Sequence, residues 1–174
     1  MWGLDKLRAK PLNRTCGEKW GEREANSLKG ETKMFFGEYV YKLDDKGRVP
    51  LPPKFRRDMR ETVVMTKGTE KCIRVYPLVE WKRLADELAS RAVTSASQRK
   101  LNRAIFGTAF AAAFDKQGRI GLPLPLRLHA EIGDSVVVVG VNQSVELWNE
   151  DLWKTERASS EEKAEQILEG MGGS

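Results

Sequence analysis

"LDDKGRVPLPPKFR" (residues 43–56) decides how this chain folds. It sets two acids, a glycine and an arginine within five residues, then adds three prolines. Residues 44–47 carry turn chemistry, with Gly47 supplying a positive φ. Residues 48–51 make a short strand, and Pro50 removes a ladder donor, so that strand sits at an edge or is irregular. Residues 52–59 start on Pro at a helix start, where the missing N–H costs nothing. The same phrase returns as "FDKQGRIGLPLPLR" (residues 114–127).

The repetition extends well beyond the phrase. Asp44, Gly47, Arg48, Leu51, Pro52 and Arg56 match Asp115, Gly118, Arg119, Leu122, Pro123 and Arg127, all at an offset of 71. Tyr76 and Trp81 match Trp148 and Trp153 at an offset of 72, and one added residue between strands accounts for the change. Strand patterning covers 35–44, 62–66 and 72–76, then 108–115, 119–122, 135–140 and 145–148. Pro77 opens a helix on which Leu78, Trp81, Leu84, Ala85 and Leu88 repeat at helical spacing. Ser95 and Gln98 form a capping box for a second helix, with Leu101 and Ile105 on one face and Gly107 at its end. Units this small cannot each bury a core alone. The expected fold is mainly β with short helices (α+β), one small barrel built by both repeats as a pseudo-dimer within one chain. The boundaries are a first repeat over 34–81, a helical connector over 82–107, a second repeat over 108–153 and an acidic tail over 154–174.

Residues 1–33 are basic and aperiodic, and read as a disordered extension, an upstream translation start or an artificial addition, although they hold Trp2 and Trp20. Met34 opens the first patterned segment. The formal charge is +5, from thirty Lys and Arg against twenty-five Asp and Glu, which permits an acidic partner without requiring one. Positive charge gathers over 34–60, and the tail holds Glu161, Glu162, Glu165 and Glu169 against Lys163. Apolar runs such as 136–139 are far too short to cross a bilayer, and no secretory h-region opens the chain. Cys16 and Cys72 form neither a disulfide framework nor zinc-ligand spacing, so a reducing cytosol is the expected setting.

The segments "MFFGEYVYKLDDKGRVPLPPKFR", "VYPLVEW", "FDKQGRIGLP" and "VVVVGVNQSVELW" resemble the MraZ family, whose wider relatives are the AbrB-like regulators. The resemblance covers about 34–153, and the paired Asp-x-x-x-Arg motifs with "YPL-x-x-W" make it specific to MraZ. It implies a swapped-hairpin barrel. It also implies a regulator, acting as a repressor, of the bacterial division and cell-wall gene cluster. Such a protein binds promoter direct repeats as a ring homo-oligomer in the cytoplasm, at the nucleoid. Its DNA-contacting surface would be Asp44 to Arg48 and Asp115 to Arg119. Pro50 and Gly121 depart from the family pattern, and so does the 33-residue arm.

The residue types suit that role. An arginine after a glycine turn projects from a rigid hairpin, and its fork bridges phosphate oxygens or guanine O6 and N7. The candidate DNA contacts are Asp44, Lys46, Gly47, Arg48, Lys54, Arg56, Arg57, Asp115, Lys116, Gly118 and Arg119. Asp44 and Asp115 either accept N–H groups within their turns or orient the arginine four residues on. An Asp and Arg beside a hairpin also commonly form a purely structural ion pair. Arg56 and Arg127 stand equally well as barrel caps, interface partners or DNA contacts. The first turn has the more basic neighbours in sequence, which favours it as the main contact. Trp81 and Trp153 read as packing anchors, His129 as a surface residue and Cys72 as an inert buried thiol. No zinc cluster, P-loop or nucleophile–base set is legible, so neither an enzyme nor a cofactor is expected. An assembly module without DNA specificity is the alternative, with Ile167, Leu168 and Met171 as a partner helix.

Overall fold

The computed structural model describes residues 34–90 and 96–171. The expected disordered extension with Trp2, Cys16 and Trp20, and Ser95 of the expected capping box, lie outside the described residues. Each half runs strand, turn, strand, helix, hairpin, helix. The first comprises β1 (Phe35–Lys42), β2 (Arg48–Pro50), α1 (Pro53–Met59), β3 (Thr62–Lys67), β4 (Cys72–Pro77) and α2 (Leu78–Ser90). After α3 (Ala96–Phe106) come β5 (Phe110–Ala113), β6 (Arg119–Gly121), α4 (Leu124–His129), β7 (Ser135–Asn142), β8 (Ser144–Trp148) and α5 (Glu150–Met171). The fold is α+β with an antiparallel sheet, and the two repeats interlock.

The interlocking is visible strand by strand. The large sheet runs β1-β7-β8-β4-β3-β5, so the first strand of each repeat pairs with the other repeat's hairpin. β2 and β6 pair with each other as a separate ribbon. Pro50 lies opposite Arg119 at the end of that three-residue strand, where a missing donor disrupts no longer ladder. The two sheets share one core. Val49 and Ile120 of the ribbon are fully buried in the cluster that holds Phe35, Val63, Met65, Ile73, Val136 and Leu147. Phe55 on α1 takes edge contacts from Phe35 and Tyr39, with centroids 5.3 and 5.5 Å away. Burying such a ring stabilises the fold by about 2–3 kcal/mol.

Register corrects the sequence alignment. Thr62 pairs with Ala113, and Ser135 pairs with Lys42, which makes Thr62 and Ser135 equivalent positions. Ile73 pairs with Leu147 and Val75 with Val145, a symmetric arrangement at the offset of 72. The second repeat has therefore gained two residues before β7 and lost one in the β7–β8 turn, in place of the single insertion expected.

The element ends have local causes. α1 and α4 each start after a proline, Pro52 and Pro123, in extended conformation. β5 is shorter than the apolar run around it because Thr108 is held in the turn that follows α3. Its hydroxyl donates to the Ala104 carbonyl at 2.7 Å and contacts Thr66 Oγ1 at 3.2 Å. α5 begins where Asn149 Oδ1 accepts the backbone N–H of Asp151 (2.8 Å) and Leu152 (3.2 Å). It then runs on through the acidic segment to Met171. Among the described residues no helix is long and apolar enough to cross a membrane.

Candidate nucleic-acid interface

The β2–β6 ribbon sets the two glycine turns side by side, and the turns are built alike. Asp44 Oδ1 accepts the backbone N–H of Lys46 at 3.0 Å and of Arg48 at 2.9 Å. Asp115 Oδ1 accepts those of Gln117 and Arg119, both at 2.9 Å. Gly47 and Gly118 hold φ of 70° and 74°, the left-handed region that a side chain disfavours. Each turn also reaches across to the other repeat. The Gly47 carbonyl accepts the Leu122 N–H at 3.0 Å, and the Gly118 carbonyl accepts that of Leu51 at 3.5 Å.

The other carboxylate oxygens form a shared ion quartet. Arg48 Nε donates to Asp44 Oδ2 at 2.8 Å, and its Nη1 reaches Asp115 Oδ2 at 3.4 Å. Arg119 contacts Asp115 Oδ2 through Nε (2.9 Å) and Nη2 (2.8 Å), and Asp44 Oδ2 through Nη1 (3.2 Å). Both roles read for the aspartates are thus filled together, one oxygen shaping the turn and the other holding arginines. The backbone N–H of Arg119, and then its guanidinium, hold the Asp115 carboxyl down at about 2. Asp44 is lowered in the same way, first by the Arg48 backbone N–H. The arginine side chains stay partly exposed, 31% for Arg48 and 23% for Arg119, so neither is locked inside the barrel. Arg119 engages all three guanidinium nitrogens, whereas Nη2 of Arg48 has no partner among the described residues.

The flanking cations cross between repeats. Arg127 lies over the Gly47 turn, its Nη1 2.6 Å from where a Gly47 Cβ would stand, and Arg56 packs still closer over Gly118. Nε of both is buried without a hydrogen-bond partner among the described residues. Arg56 therefore serves the second turn, although sequence groups it with the first. Lys46 and Lys116 are exposed at the turn tips. An open cleft beside the second turn is lined by Arg56, Arg60, Glu61, Phe114, Asp115 and Lys116. The Lys54 ammonium sits 3.5 Å from the Phe36 ring centroid, and exposed Arg57 makes a loose 3.8 Å contact with Asp58.

The remaining singled-out residues have structural places. Tyr76 packs on Trp81 and Trp148 on Trp153, at 5.8 and 5.6 Å, so each repeat carries an aromatic pair at equivalent positions. Cys72 is fully buried, and burial followed by the Glu146 charge pushes its thiol up to about 12. His129 meets the Glu70 carbonyl at 3.2 Å on the surface.

Exchanged strands, paired glycine turns and a cross-repeat ion quartet define a duplicated swapped-hairpin protein. The chain belongs to the MraZ family. The family model described as "MraZ protein, putative antitoxin-like" matches it twice, over residues 34–104 and 105–171. It is 48% identical over 141 residues to a protein of Dehalococcoides mccartyi, covering 80% of this chain and 99% of that relative. It is 41% identical over 138 residues to one from Halothermothrix orenii, covering 79% and 96%. It is 38% identical over 140 residues to one from Limosilactobacillus fermentum, covering 80% and 98%. Each of these relatives is named transcriptional regulator MraZ.

Proposed function

We propose that this chain is a transcriptional regulator that binds double-stranded promoter DNA through the paired turns, and that it catalyses no reaction. The carrying observation is the ion quartet, which fixes two arginine-bearing turns on one face. Around it stand Lys46, Arg56, Lys116 and Arg127, a cationic rim for phosphates. The quartet holds the arginine forks before DNA arrives, so binding costs little side-chain ordering. Arg48, with Nη2 unengaged, is the better placed to read a guanine edge, and Arg119 orders its neighbour.

One such face binds weakly, and several faces held together gain avidity on spaced repeats. The proposed assembly is therefore a ring of copies on direct repeats, acting as a repressor of the division and cell-wall cluster, at the nucleoid in the cytoplasm. Footprinting on the chain's own upstream DNA tests the target. A gel-shift titration at fixed salt tests the site, with folding and oligomeric mass checked first. Arg48→Ala is expected to weaken promoter binding by about five- to 150-fold, the loss of about 1–3 kcal/mol that a bidentate base contact carries. Unchanged affinity would remove Arg48 from the interface. The second reading is an assembly module without DNA specificity. It draws on exposed Ile167 and Leu168, and a stoichiometric protein partner without salt-dependent DNA binding would favour it.

A further inference from the structure

Strand exchange redistributes charge around the two turns. In sequence the basic neighbours surround the first turn, but in space cations gather beside the second. The Phe114 N–H donates to the Glu61 carbonyl at 3.2 Å, and the Leu43 N–H to the Asp134 carbonyl at 2.8 Å. The segment after α1 therefore lies beside the second turn, and the segment after α4 beside the first. Arg60 and Glu131 hold equivalent positions just after those helices, with φ of 61° and 53°. The backbone repeats there while the charge is inverted.

The open cleft beside the second turn accordingly draws Arg56, Arg60 and Lys116 together, with Glu61 as its acid outside the ion quartet. Arg60 and Lys116 are both exposed. At the four equivalent positions the first turn carries Arg127, Glu131, Asp45 and Asp134. Three cations and one acid have become one cation and three acids. Lys42 and Lys46 stand where the second turn has Ala113 and Gln117. Lys46 follows Asp45, and Lys71 pairs with Glu131, so cations around the first turn are interleaved with acids. The ion quartet between the turns is nearly symmetric, and its flanks are not.

We propose that the cleft of Arg56, Arg60 and Lys116 seats a backbone phosphate of the DNA, so that the molecule lies on its site in one polarity. The second turn then holds one strand, and Arg48 of the first turn reads bases. This rests on the DNA-binding reading above and divides the labour within that face. Two equal turns would suit a site with two-fold symmetry. Unequal turns suit repeats that all run in one direction.

The test is ethylation interference on a duplex of the chain's own upstream DNA, with affinity followed by fluorescence anisotropy across a range of salt. The wild-type protein should be blocked by ethylated phosphates grouped on one side of the base contacts in each repeat. Arg60→Gln and Lys116→Gln should each erase that group. Each should also lower the slope of log affinity on log salt by about 1, the share of one phosphate contact. Promoter and unrelated DNA should weaken by the same factor, because phosphate contacts position without specifying. Lys116 lies on an exposed turn tip and carries the test alone if circular dichroism shows the Arg60 variant unfolded. Interference symmetric about each repeat, or a group that persists in the variants, would overturn the phosphate seat and leave DNA binding by the paired turns intact. Inorganic phosphate at constant ionic strength should not displace the duplex. Displacement that disappears in Lys116→Gln would make the cleft a site for a free anion instead. A wild-type chain without salt-dependent binding to that duplex would overturn both readings.

Discussion

Asp115 divides two tasks between two oxygens, and its acidity reports both. Oδ1 closes the turn on backbone N–H groups while Oδ2 holds Arg119 and Arg48. All of these contacts favour the ionised form, so the carboxyl stays charged down to about pH 2. A free aspartate would protonate near 3.9. The folded value is the lower one, so the stabilisation is fully present above about pH 4 and is lost as pH falls through 2. Carboxyl-carbon NMR should place the Asp115 midpoint near 2, and Asp115→Asn should flatten the dependence of Tm on pH between 4 and 2. A midpoint near 3.9 would show that the quartet does not form in solution. Asp44 should titrate in the same direction.

The β4–β8 pair shows what two fused repeats gain over two identical ones. Arg74 and Glu146 occupy equivalent positions and meet directly, with Nε to Oε1 at 3.0 Å and Nη2 to Oε1 at 2.9 Å. Trp148 Nε1 donates to the other oxygen at 3.0 Å, which satisfies the buried carboxylate. Glu146→Gln leaves Arg74 facing a neutral amide inside the sheet. It should cost about 2 kcal/mol in urea unfolding, below the 3–5 kcal/mol of a fully buried pair because Arg74 keeps some solvent. Pairing Glu146→Gln with Arg74→Gln should recover part of that loss, and strict additivity would deny the coupling. Sequence reveals the strands and turns of this region well, because alternation and glycine turns are local signals. It does not reveal this pair, since opposition across an axis depends on the register of strands 72 positions apart. The crossing of Arg56 to the second turn is hidden for the same reason, strand exchange being a tertiary choice. The full length of α5 is also hard to read, because its distal part, exposed on every side over 161–170, carries no apolar stripe for periodicity to report.

The whole molecule behaves as a pseudo-dimer whose halves are no longer interchangeable. β1 pairs only with β7 and β5 only with β3, so neither repeat completes its sheet alone. Core residues from both repeats form one cluster, with Phe55 and Leu126 as its equivalent helix anchors. Fragments covering 34–107 and 108–171 should therefore be largely unfolded when separate and should fold on mixing. Homodimers of either fragment are the obvious competitor, because the swapped arrangement is symmetric. The axis decides against them. Two first halves would set Arg74 against Arg74, and two second halves Glu146 against Glu146, where like charges directly opposite destabilise a sheet. The mixture alone pairs Arg with Glu. Circular dichroism should show strand signal appearing on mixing, and light scattering should show a one-to-one complex. Replacing Arg74 with Gln in the first fragment should then relax the preference and let its homodimer compete. Homodimers as stable as the mixed complex before that substitution would mean that the charges on the axis do not govern how the repeats pair.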